Sequence, residues 1–83
     1  MYLAKVYISL KPTVNDPQGL TIRGALHNLG FKQVTDVRAG KYIEIKIDLD
    51  DIEMTRNKVT DMCRQLLANP VIETYRFDLE LIK

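Results

Sequence analysis

The chain opens on strict alternation. Over residues 2–10, Ala4, Val6, Ile8 and Leu10 fall on one side and Lys5, Tyr7 and Ser9 on the other, a period of two that marks a half-buried strand. Lys11 and Pro12 end the run, and a short loop leads to Asp16 and Pro17. Asp16 suits an N-cap, because its carboxylate can accept from amides that the first helical turn leaves free. Pro17 suits the next position, where a missing N–H costs nothing. A helix is therefore predicted over 17–29, with Ile22, Ala25, Leu26 and Leu29 at i, i+3, i+4, i+7 on a face expected to point inward. Gly30 stops it in a left-handed conformation, and Phe31 stands where a residue commonly folds back onto the last turn.

Two β-like runs follow, over 33–38 and 41–49. The second places Ile43, Ile45, Ile47 and Leu49 opposite Tyr42, Glu44, Lys46 and Asp48. Gly40 between them either turns a hairpin or bulges one long bent strand, the hairpin being favoured. Asp50 with Glu53 has the spacing of a capping box, and Ile52, Val59, Met62, Cys63, Leu66 and Leu67 continue at helical intervals until Asn69-Pro70 closes the second helix. A last strand spans 71–83, with Tyr75, Phe77, Leu79 and Leu81 facing one way and Thr74, Arg76, Asp78 and Glu80 the other. The order β-α-β-β-α-β, with one apolar stripe per helix and one apolar side per strand, implies an α+β fold. Its expected form is a ferredoxin-like sandwich: an antiparallel sheet of three to four strands with two helices on one face.

Composition changes this picture in a few places. Eighty-three residues make one domain over 1–83, and a chain so short buries only a little over ~60% of its unfolded surface, so its own core is marginal. A net charge of +1 supplies no long-range attraction to nucleic acid or anionic lipid. No apolar run approaches the roughly 18 residues of a membrane span, and a cytoplasmic protein is expected. Cys63 is the only cysteine and is read as core filler.

Catalytic chemistry is hard to assemble from these residues. His27, the only histidine, sits near a helix C-terminus without a carboxylate beside it and is read as solvated. Asp48, Asp50 and Asp51 are explained by a strand end and a helix start rather than by a metal. The four glycines lack the spacing of a phosphate loop. Tyr7 and Tyr42 resemble the stacking aromatics of RNA-recognition modules, yet Glu44 and Asp48 beside them would repel phosphate; no nucleic-acid partner is expected.

Taken together, V-Y-I-S-L-K-P, N-D-P-Q-G, A-L-H-N-L-G-F, V-R-A-G-K-Y-I-E-I and N-P-V-I-E-T-Y closely resemble the PurS family over nearly the whole length. That family is the small subunit of phosphoribosylformylglycinamidine synthase. The resemblance implies a non-catalytic accessory subunit joining a synthetase (PurL-type) to a glutaminase (PurQ-type) and assisting ammonia transfer between them. It implies no cofactor in this chain, ATP and Mg being expected on the synthetase. A small-ligand-binding regulatory module of similar fold is the alternative.

Two surfaces are singled out. Glycine at the third helical position costs nearly 1 kcal/mol relative to alanine, so something is expected to pack on the first turn. Asp16, Pro17, Gln18 and Gly19 are the candidate partner contact, with Arg38 and Lys41 flanking Gly40. A final strand of ~40 Å at about 3.3 Å per residue would overhang so small a sheet, which predicts a homodimer or homotetramer built through strand edges and the sheet's helix-free face. Tyr2, Tyr7, Tyr42, Leu79 and Leu81 are its candidate residues.

Overall fold

The computed structural model describes residues 1–83. Its elements are β1 (Tyr2–Leu10), α1 (Pro17–Asn28), β2 (Gly40–Ile47), α2 (Ile52–Met62), a wider helical turn over Cys63–Leu67, and β3 (Glu73–Leu81). The three strands form one antiparallel sheet in the order β2-β1-β3. Tyr2 stands opposite both Ile47 and Leu81, and Val6 opposite both Ile43 and Phe77. Even-numbered residues of β1 therefore share an apolar face with odd-numbered residues of its neighbours. On that face Ala4, Val6 and Ile8 are buried beneath Val59, Cys63 and Ala68, so α2 and the turn after it supply the second layer.

Residues 33–38 form no strand, which leaves a ferredoxin-like arrangement without one edge. Their backbone groups are taken elsewhere: the Val34 carbonyl lies 2.7 Å from His27 Nε2, and the amide of Val37 donates to Asp36 Oδ1. Gly40 is neither a hairpin turn nor a bulge but the first residue of β2, paired with Ser9. A Cβ there would come within 2.6 Å of the Ile8 carbonyl oxygen. The last strand does not overhang: Glu73–Leu81 matches Tyr2–Leu10 residue for residue, while Val71 and Ile72 belong to the turn after Asn69, whose side chain accepts from the Val71 amide at 3.0 Å.

The two helix starts differ in how well the sequence marks them. Asp16 caps α1 as expected, accepting from the Gly19 amide at 3.0 Å. For α2 the cap is Asp51 rather than Asp50, accepting from Glu53 N at 3.0 Å; the Thr55 amide also donates to the Asp51 carbonyl. The end of α1 follows expectation closely. Gly30 has φ of 102°, Phe31 N donates to Leu26 O and Gly30 N to His27 O, the paired bonds of a Schellman close.

At the end of α2 the Ala68 amide donates to Cys63 O, five residues back instead of four. The extra residue in that turn brings Ala68 onto the buried side with Cys63 and swings Leu66 out, so that Leu66, expected on the apolar stripe, is 83% exposed.

The largest departure is α1. Its only buried residue is Gly19, and Ile22, Ala25 and Leu29 of the stripe expected to face inward are exposed. The chain measures 49 × 29 × 14 Å with a radius of gyration of 16.4 Å, against about 12 Å for a compact chain of this length. Nine-residue strands account for about 30 Å and a twelve-residue helix for about 18 Å, so α1 extends the long axis beyond the sheet as an arm.

Candidate functional site

The arm is held at its base by a clasp built from the D-P-Q-G and V-R-A-G-K segments. Asp16 is buried, and its two carboxylate oxygens divide the work: Oδ1 accepts from Gly19 N at 3.0 Å and Oδ2 from Ala39 N at 2.8 Å. These two amides, assisted by the Arg38 charge, hold its carboxyl below the usual aspartate range. Arg38 completes the clasp by donating from one terminal nitrogen to the carbonyls of Lys11 (2.9 Å) and Val14 (2.8 Å). Two loop segments, 11–16 and 38–39, are thereby tied to the start of α1.

Gly19 has its explanation here. A Cβ would collide with the Val37 carbonyl oxygen, a backbone atom that cannot step aside. The close packing expected on the first turn therefore comes from the chain's own 37–39 segment, not from a partner. Pro17 and Gln18 remain exposed and Lys41 Nζ lies 3.5 Å from Glu73 Oε2, so the six residues do gather at one end of the sheet. His27, read as solvated, pins the far end of the arm through its 2.7 Å contact with the Val34 carbonyl. No local pattern in the sequence announces that bond, which links a helical residue to an irregular segment seven positions on.

The residues expected at an interface between copies are divided between the two faces of the sheet. Tyr7 and Tyr42 lie side by side on the helix-free face, ring centroids 5.0 Å apart. Tyr2 does not join them: it lies on the apolar side and is 8% exposed, because an even position in β1 points toward α2. Leu79 and Leu81 are on that apolar side too, half-buried and 69% exposed respectively. Two polar pairs on the helix-free face are close ones. Lys5 Nζ meets Glu80 Oε2 at 2.9 Å, which raises the lysine's pKa, and Tyr42 OH donates to Glu44 Oε2 at 2.8 Å, which raises the phenol's.

The apolar side is the incomplete one. Ile43, Ile45, Tyr75, Phe77 and Leu79 are only partly covered, while Leu20, Leu29 and Phe31 on and beside the arm are more than half exposed. Arg23 on the arm also has a shielded Nε without an acceptor. The sheet face and the helix stripe are thus apolar surfaces that the chain does not cover with itself.

A family profile described as PurS, phosphoribosylformylglycinamidine (FGAM) synthase, matches residues 3–81. The phosphoribosylformylglycinamidine synthase subunit PurS of Bacillus subtilis is 49% identical over 80 residues, covering 96% of this chain and 94% of that one. Among solved structures, Methanocaldococcus jannaschii PurS superposes with a TM-score of 0.88 at 43% identity over the full length of both chains. A chain of the Thermotoga maritima PurLQS structure does so with a TM-score of 0.84 at 27% identity, covering 96% of this chain and 99% of that one.

Proposed function

The chain belongs to the PurS family, and from that membership we propose that it is the small accessory subunit of phosphoribosylformylglycinamidine synthase in purine biosynthesis. Its partners are a PurL-type synthetase and a PurQ-type glutaminase, and its place is between them. The observation that carries this reading is the likeness, over almost all of both chains, to a chain of a PurLQS structure. Physically, ammonia released at one site must reach another without escaping or picking up a proton from bulk water, and a rigid spacer that fixes the two sites relative to each other serves that need. ATP and Mg belong to the synthetase in this reading, and the complex works in the cytoplasm.

The spacer is a homodimer, or a pair of dimers. The support is the uncovered apolar side of the sheet together with the exposed arm, since burying both against a second copy would complete a core that one chain leaves open. The test is co-purification of the tagged chain with the two larger proteins in the presence of glutamine, ADP and Mg, followed by native mass measurement. A complex containing all three proteins and an even number of copies of this chain is expected. Recovery of the two large proteins as a complete complex that excludes this chain would overturn the reading.

A further inference from the structure

At the end of the sheet where Ser9, Gly40 and Thr74 are in register, a cleft of about 410 Å³ opens beside the clasp. Its lining includes three cations, Arg38, Lys41 and Arg76, and no carboxylate. In a chain with 12 basic and 11 acidic side chains, that is a local surplus of charge. We propose that this cleft binds a phosphate monoester, with Arg76, Lys41 and the hydroxyls of Ser9 and Thr74 as the groups that hold the phosphate.

Geometry supports each part. The Arg76 guanidinium carbon lies 4.0 Å from the centre of the Tyr7 ring, a cation–π contact that holds the group in place before any ligand arrives. Its ion pair with Asp78 is long, 3.6 Å between exposed groups, and such pairs exchange cheaply. Lys41 is similarly available: the Glu73 carboxylate 3.5 Å away already accepts from the Asn69 amide at 2.7 Å through its other oxygen. Ser9 Oγ and Thr74 Oγ1 lie 3.4 Å apart across adjacent strands, a long contact between two donors free to turn toward a phosphate oxygen. Arg38, whose one nitrogen serves two carbonyls, adds field from the rim. Several donors around more than one positive charge suit a dianion with three terminal oxygens better than a single carboxylate. The volume falls within the range of small-molecule sites, about 300–1,000 Å³.

The experiment is a two-dimensional amide NMR titration of the full-length chain with inorganic phosphate and with glucose 6-phosphate, against glucose and against chloride at matched ionic strength. Saturable shifts at Ser9, Gly40, Thr74 and Arg76 are expected with both phosphates and not with either control. Arg76→Ala should weaken glucose 6-phosphate binding about tenfold, the loss of one charge-assisted hydrogen bond. Thr74→Val, which keeps the strand and its shape, should weaken it by a smaller factor. Shifts that fail to saturate, that chloride reproduces, that centre elsewhere, or that persist at unchanged affinity in Arg76→Ala would each overturn the proposal.

Discussion

Asp16 serves two elements with one side chain, and its substitution separates the two tasks. Asparagine keeps an oxygen for the Gly19 amide but puts an NH2 where Ala39 N now donates, so Asp16→Asn should lower the melting temperature at neutral pH. The pH dependence has a definite sign. A carboxyl whose folded pKa lies below its unfolded value stabilises the fold above the ordinary aspartate range and loses that contribution as pH falls through the lowered value. The gap between wild type and Asp16→Asn should therefore close on titration from about pH 7 toward about pH 2, and a gap that stays constant would remove the carboxylate's charge from the account. Gly19→Ala is expected to destabilise by about 1–3 kcal/mol in urea unfolding, the range for forcing extra volume against an unyielding neighbour, here the Val37 carbonyl. The cap and the proline after it were legible in the sequence because their partners lie within one turn. Gly19's partner is eighteen positions away, and a glycine that costs helix stability tells only that something approaches closely, not what.

The two helices illustrate the same divide between local signals and distant ones. For α2 the apolar spacing was a guide to the middle of the stripe, where Val59 and Cys63 are fully buried, and not to its ends, where Ile52 and Leu66 are exposed; Val59→Ala should cost about 2 kcal/mol in the same unfolding assay. For α1 the start, the stop and the stripe were all readable, and the stripe nevertheless lies in solvent. Periodicity shows that a face needs cover without showing which chain provides it. Accordingly, Ile22→Lys combined with Leu29→Lys should leave the far-ultraviolet dichroism unchanged, since both positions are exposed and lysine is a good helix former, while lowering the particle mass in equilibrium sedimentation. An unaltered mass would place the contact between copies away from the arm. Residues 33–38 were misread as a strand for a related reason. Val34, Thr35 and Val37 are β-favouring residues, but the clasp and His27 had prior claims on the neighbouring backbone. The wide turn after Met62 had no signal in composition at all.

At the scale of the molecule, a three-stranded sheet has one helix over it and another extended from its end. Its 16.4 Å radius of gyration and its exposed Leu20, Leu29 and Phe31 support the proposed place of the chain in a larger assembly. The sheet was anticipated from alternation, but the overhanging last strand expected to drive association is absent. The proposed association rests instead on the uncovered apolar side. In the proposed role such a chain contributes geometry, holding two larger catalytic proteins at a fixed separation so that ammonia passes between them. The direct test is synthetase turnover by the PurL-type and PurQ-type proteins with and without this chain, supplied either with glutamine or with free ammonium. Glutamine-dependent turnover should require the chain, while ammonium-dependent turnover by the synthetase should proceed without it; full glutamine-dependent turnover in its absence would contradict the account.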